Sequence, residues 1–381
     1  MKRRNFIKLM GGAIVLFQSP KLVFAKNQDN PNRPLFIWVI MRGALDSLHT
    51  VIPESDDNYK AFRPNLAQQI QQPTLPLSQG FTLNPALKNL HTWYQNKELL
   101  PIVAVGSGYP SRSHFDGQDY LESGTGTQNT KTGWLARALN QKKTDAIAID
   151  YSTPVSLRGS SGVNTWYPAK LKSADDDIYQ TLKSLYQDDN SLLANLNHGL
   201  EIKNKTQSLD KQKGRSSFST LTRGCAKLLS QSPDMDCAML EIGGWDTHNA
   251  QEPRLKKQLT ELDQGLAELK ASLGPLWKNT VVALATEFGR TVRENGTGGT
   301  DHGTGSVMFL AGGGVKGGNI QGKWPGLKPE QLFENRDLMP TTNTFSWMAT
   351  ALSQHWQLST DNIKNVFPKQ KIYSTNIIRN T

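Results

Sequence analysis

The sequence predicts an α/β protein built on a doubly wound, mostly parallel sheet with helices on both faces. Four apolar runs, Leu35–Met41, Leu99–Val105, Met235–Ile242 and 280–286, are near-continuous rather than alternating, as strands covered on both faces must be. Segments with helical spacing lie between them. Each run also ends in a polar loop: Arg42-Gly43-Ala44-Leu45-Asp46, Ser111-Arg112-Ser113-His114, Gly243-Gly244-Trp245-Asp246-Thr247-His248 and Glu287-Phe288-Gly289-Arg290. Open α/β sheets bind ligands beyond the carboxyl ends of their strands, so one site is expected along that edge.

Taken in order, residues 1–25 read as an export signal rather than as part of the fold. Arg3-Arg4-Asn5-Phe6-Ile7-Lys8 is a twin-arginine pattern, followed by the apolar Leu9–Phe17 and a small-residue cleavage site at Val23-Phe24-Ala25. The apolar segment is short for a membrane span, and no transmembrane segment is expected in the mature chain. The expected location is the periplasm, with the twin-arginine translocase as a partner during export. The remainder, 26–381, is expected to be a single domain. The composition is ordinary for a globular chain, 37% hydrophobic and 20% charged. The formal charge of +10 includes five cations of the signal, leaving 10 − 5 = +5. That suits a small anionic ester or an envelope glycan as substrate, and no basic stripe interleaved with aromatics supports a nucleic-acid partner.

Helices are expected near Asn84–Asn96, His114–Ser123, Gly133–Leu139, Pro253–Leu273 and Thr344–Trp356. The leucines at 255, 259, 262, 266, 269 and 273 form a core stripe. Residues near 175–232 read as a helical insertion with little chemistry. Cys225 and Cys237 do not have a metal-binding spacing, and both a disulfide and buried free thiols are compatible with their positions. Ser113 precedes a helix, where it is either an N-cap or a hydroxyl in an anion-favouring field. Asp246 and His248, two apart on an extended segment, point to one side as two ligands of one ion would. Glu287, Arg290, Asp301 and His302 crowd the junction between the apolar runs 280–286 and Val307–Leu310. A carboxylate, a guanidinium and an imidazole there suit an oxyanion and metal site.

The blocks RGALDS, SRSHFDGQD, GGWDTH, TEFGR and GGTDHGTGSVMFLAGGGVKGG resemble a bacterial family of exported proteins known as domain of unknown function 1501, placed with the sulfatase and alkaline-phosphatase superfamily. The resemblance runs over about residues 35–370. It implies a sulfatase-like fold and a hydroxyl nucleophile beside one or two divalent ions (Zn, Mn, Mg or Ca) held by Asp and His. Carried over residue by residue, it implies Asp46, Asp246 and His248 as ligands and Ser113 as nucleophile, with Ser111 its competitor. The catalytic set also takes in Arg112 and Arg290. His302 is similar to the last metal-binding histidine. Glu287 then stands where an Asp-His pair usually follows its strand, or Asp301-His302 is that pair. In either version one histidine ligand is missing, and the second ion is weak, replaced by Arg290, or absent. Gly108-Tyr109-Pro110-Ser111-Arg112 carries Gly at the reactive position of a sulfatase motif, which argues against a formylglycine sulfatase. The expected activity is hydrolysis or transfer on a phosphate, phosphonate or sulfate ester. The alternative is a non-catalytic exported metal- or glycan-binding protein on the same fold.

Overall fold

The first apolar run forms β1 (Leu35–Arg42) in a computed structural model describing residues 32–168, 176–206 and 217–379. The export signal expected over residues 1–25 lies outside the described residues. β1 is joined in one sheet by β2 (Leu99–Gly106), β3 (Asp145–Ala148), β4 (Val163–Thr165), β5 (Met235–Gly243), β6 (Thr280–Ala285), β7 (Ser306–Ala311) and β8 (Thr342–Asn343). The order across the sheet is β8-β2-β7-β6-β1-β5-β3-β4. Every neighbouring pair is parallel except those of β7, which runs antiparallel to both β2 and β6.

The helices that cover the sheet are α1 (Lys88–Gln95), α2 (His114–Ser123), α3 (Trp134–Lys142), α4 (Asp176–Leu185), α5 (Asn190–Thr206), α6 (Phe218–Ser230), α7 (Gln251–Leu273), α8 (Thr344–His355) and α9 (Thr360–Val366). The period-two geometry of β1 divides its side chains between two cores. Leu35, Ile37, Val39 and Met41 pack with the leucine stripe of α7 and with α6. Phe36, Trp38 and Ile40 pack on the other face against Trp134 and Leu135 of α3 and Phe345, Met348 and Leu352 of α8. Each fully buried leucine of such a stripe contributes roughly 1.5–3 kcal/mol by leaving water.

Two features of the region near 175–232 sharpen its reading. α6 is no peripheral insertion, because Leu221, Cys225, Ala226, Leu228 and Leu229 are buried in the core. α4 and α5 carry the exposed Leu185 and Leu192, while Ile202 of α5 reaches the same core. Cys225 and Cys237 are buried free thiols that belong to cores on opposite faces of the sheet, so the sheet itself keeps them apart. Among the described residues no helix is long and apolar enough to cross a membrane.

The antiparallel β7 has a direct consequence for function. Because β6 leaves the sheet at its carboxyl end and β7 re-enters there, the whole segment 286–305 stays on that edge. It is stitched into a ribbon by Gly289 N to Thr304 O (3.0 Å), Gly303 N to Gly289 O (2.8 Å) and Thr291 N to Asp301 O (2.8 Å). A Cβ at Gly289 would run into the Gly305 carbonyl, and one at Gly299 into the His248 carbonyl. Glycine at these positions lets the ribbon lie flat on itself and against the loop after β5.

Candidate metal centre

Three imidazoles and one carboxylate meet where the loops after β2, β5 and β6 converge. His114 opens α2, Asp246 and His248 follow β5, and His302 lies on the 286–305 ribbon, paired across it with Arg290. The His302 Nε2 lies 2.9 Å from the His114 Nε2, 3.0 Å from the His248 Nε2 and 3.3 Å from Asp246 Oδ1. Asp246 Oδ1 is also 2.9 Å from the His248 Nε2, and its Oδ2 is 3.6 Å from the His114 Nε2. The ligand atoms of His114, Asp246 and His302 all lie within 4.8 Å of one another.

Each ring is held from behind. His114 Nδ1 donates to Glu287 Oε1 (2.7 Å), His248 Nδ1 to Asp301 Oδ1 (3.0 Å) and His302 Nδ1 to the Arg112 carbonyl (2.8 Å). These acceptors assign the proton to Nδ1 in all three rings, so all three Nε2 lone pairs point at the same space. Lone pairs facing each other at about 3 Å repel unless something positive lies between them. A proton relieves one such pair; a divalent cation relieves all of them. Two tetrahedral ligands of zinc stand roughly 3.4 Å apart, close to these separations. Imidazoles with carboxylates or a carbonyl on the remote nitrogen are the usual supporting arrangement of a metal site. The donor set therefore fits a divalent cation of the zinc type.

The electrostatics divide between the rings, since a raised His114 pKa favours a proton on its Nε2 in place of a cation. The hydrogen bond and charge of Glu287 raise the His114 imidazolium above its ordinary range, while burial pushes His302 down and keeps it neutral. Burial opposes ionisation of Asp246, but the Arg290 guanidinium beside it holds the carboxyl below the usual range. Glu287 is wholly buried, and bonds from His114, Thr286 and Gln118 keep it ionised against that burial. Phe288 stacks on the His114 ring at 4.9 Å between centroids and closes its inner side. The side chains of Asp246 and His248 are 42% and 43% exposed, so the centre opens to solvent on their side.

Several expected roles change in the structure. Asp46 is not free to bind an ion: Arg63 Nη1 reaches both its oxygens (2.9 and 2.7 Å), Gln251 Nε2 reaches Oδ2 (2.5 Å), and Oδ1 caps the Ser47–Thr50 turn. A metal there would have to displace a fully buried guanidinium. Glu287 and Asp301 bond the Nδ1 atoms of His114 and His248, which places both carboxylates behind those rings. Arg112 commits its guanidinium to Asp337 (2.8 Å) and Glu334 (2.6 Å), and only its carbonyl serves the centre. Arg290 is fully buried and committed, with Nη1 on Asp246 Oδ1 (2.8 Å), Nε on Thr300 Oγ1 (2.8 Å) and Nη2 on the Thr300 carbonyl. It positions Asp246, with three of its five N–H donors used inside the protein. Ser113 sits at the N-cap of α2 without making a capping bond, and Ser111 is exposed on the preceding bend.

His114 is the residue that the sequence reading passed over. It adds a third imidazole to the cluster, and its signal was its place directly after Ser113 at a strand-end loop. Gln251 was also unanticipated. Its Oε1 accepts from Thr247 (2.9 Å) and Thr300 (2.7 Å), so a bonded chain runs from Asp46 through Gln251, Thr300 and Arg290 to Asp246.

The family model described as "Protein of unknown function (DUF1501)" matches residues 94–367. No curated protein matches the sequence. Among solved structures, the chain is similar to the phosphonate monoester hydrolase of Agrobacterium radiobacter, at 8% identity and TM-score 0.40 over 85% of this chain and 74% of that one. It is similar to the alkaline phosphatase from the Antarctic bacterium TAB5, at 10% identity and TM-score 0.38 over 88% and 99%. It is also similar to the C-terminal periplasmic domain of EcEptC from Escherichia coli, in complex with Zn, at 9% identity and TM-score 0.36 over 74% of each chain. At such identities and scores the likeness carries no activity across.

Proposed function

We propose that this chain, which belongs to the DUF1501 family of proteins of unknown function, is a metal-dependent periplasmic hydrolase or transferase acting on phosphate, phosphonate or sulfate esters. The observation that carries the reading is the convergence of three Nε2 lone pairs on Asp246, each ring fixed by an acceptor at Nδ1. His114, His302, Asp246 and His248 are the residues that would hold a divalent ion. A bound cation supplies Lewis-acid charge that draws in an anionic ester and offsets charge developing on its oxygens. Ser113 is the nucleophile in this reading. Its hydroxyl is uncommitted as a cap, and the unpaired N–H groups of the first turn of α2 favour negative charge beside it. Arg290 fixes the direction of Asp246, and Glu287 fixes that of His114.

The test uses the purified mature protein, its metal content measured by mass spectrometry, and a panel of aryl phosphate, phosphodiester, phosphonate and sulfate substrates run with Zn, Mn, Mg and Ca. Turnover of one substrate class, abolished in Ser113→Ala with the metal retained, is the expected result. Full activity in that variant removes Ser113 from its role. The non-catalytic alternative has one observation in its favour: Arg63, Arg112 and Arg290 are all committed to carboxylates. Stoichiometric metal with no turnover across the panel would favour it.

A further inference from the structure

A second cleft, of about 680 Å³, lies against the loop that leads from β2 to His114. Its lining includes Lys364, Lys369 and Lys371, together with Asn343, Ser346 and Tyr373, and among the described residues no acidic side chain. Lys364 Nζ pairs with the exposed Asp361 at 3.2 Å, and Lys371 Nζ lies 5.7 Å from the centroid of the Tyr373 ring. The N-terminal end of α8 lies in the same wall, with the N–H groups of Phe345 and Ser346 capped by Asn343 Oδ1. Ser107 links this cleft to the Glu287 backbone, behind the metal centre. The Ser107 carbonyl accepts from Asn343 Nδ2 (3.3 Å), and the Ser107 hydroxyl donates to the Glu287 carbonyl (3.3 Å). Gly106 and Gly108 on either side of Ser107 line the cleft itself.

We propose that this cleft binds a second anionic group, so that the substrate is a chain bearing repeated phosphate or sulfate groups rather than a lone monoester. The extension to substrate rests on the ester-hydrolase reading above; anion binding in the cleft does not. A cleft lined by three lysines, one of them paired with Asp361, holds a positive potential that a neutral chain cannot use and a polyanion can. The field is strongest at low salt and is screened over about 8 Å at physiological ionic strength.

Calorimetric titration of the full mature chain with three probes tests this: a heparin pentasaccharide, a linear polyphosphate of about five units, and neutral maltopentaose. One of the two polyanions is expected to bind at least tenfold more tightly than maltopentaose, and which one does so identifies sulfate or phosphate as the recognised group. Lys369→Gln/Lys371→Gln is expected to weaken that binding about tenfold. The charge-matched control Lys278→Gln/Lys328→Gln is expected to leave it within twofold. Equal losses in the two double variants, or equal binding of maltopentaose, would overturn the proposal. His302→Ala separates the sites: polyanion binding retained there supports the cleft, and binding lost there assigns the anion to the metal centre instead. If the polyanion binds in the cleft and no ester in it is turned over, the cleft stands and the hydrolase reading fails.

Discussion

Replacing Glu287 by Gln tests how the centre is held. The substitution keeps shape and removes only charge. Oε1 can still accept from Gly43 N (2.9 Å), Gln118 Nε2 (3.2 Å) and His114 Nδ1, and the amide nitrogen falls opposite Thr286 Oγ1, which can accept it. What is lost is the charge-assisted bond at 2.7 Å that fixes the His114 tautomer and makes its Nε2 more basic. Loss of such a supporting carboxylate weakens metal affinity roughly 10- to 100-fold, about 1.4–2.7 kcal/mol. Competition for zinc against a chelating dye of known affinity at pH 7.5 measures it. Glu241→Gln is the control, since Glu241 pairs with Arg42 on the same sheet edge and touches none of the four donors. Affinity within twofold of the parent in Glu287→Gln, or an equal loss in Glu241→Gln, would refute the assignment of Glu287 as the group that orients His114.

Three other outcomes follow from the buried polar groups. Asp46→Asn leaves the Arg63 guanidinium buried without its counter-charge, and urea unfolding at pH 7 is expected to show a loss of about 3–5 kcal/mol. His49 is buried with neither ring nitrogen hydrogen-bonded, and burial pushes its pKa down to about 4. The unfolded chain therefore takes up a proton near pH 6.5 that the folded chain refuses, so stability falls as pH drops from 6.5 toward 4. His49→Leu removes that loss. It is expected to gain about 2.5 kcal/mol more at pH 4.5 than at pH 7, and a pH-independent difference between the two proteins would sink the idea. Because Cys225 and Cys237 lie on opposite faces of the sheet, a reductant is expected to leave the Tm unchanged; a drop would mean that they are bridged.

Much of the frame was legible because a long apolar run followed by a polar loop is hard to place anywhere but in a strand buried on both faces. β1, β2, β5 and β6 start where the sequence places them and end within a residue of it, and the leucine stripe of α7 lies in the core. The direction of β7 was not legible, since an apolar run has the same composition whichever way it runs. β4 was missed because three residues in a polar stretch carry no periodicity. At the site, residue type located the acids and imidazoles but could not separate a ligand from the group behind it. A carboxylate that touches an ion and one that touches the far nitrogen of a histidine look alike in one dimension. Glu287 and Asp301, expected as ligands, bond the far nitrogens of His114 and His248 instead of facing the Nε2 atoms. His114 was overlooked because its neighbour Ser113 accounted for the motif, and the direction of a first-turn side chain depends on how its helix docks. Asp46 followed a strand correctly, but its partner Arg63 comes from a polar excursion that has no signature of its own.

The pairing of buried arginines with acids fixes how much positive charge the centre can accept. Asp46 is neutralised by Arg63, and Asp246 by Arg290. Among the described residues, the cationic side chains that Glu287 and Asp301 touch at ion-pair distance are histidines, His114 and His248. With all three Nε2 atoms bare, as cation binding requires, those two carboxylates leave two negative charges around the donors. A divalent ion brings the sum to zero, a monovalent ion leaves it negative, and a trivalent ion overshoots it. Selection by valence would then be set by two carboxylates that never touch the ion, with its coordination left to groups whose own charges are already balanced.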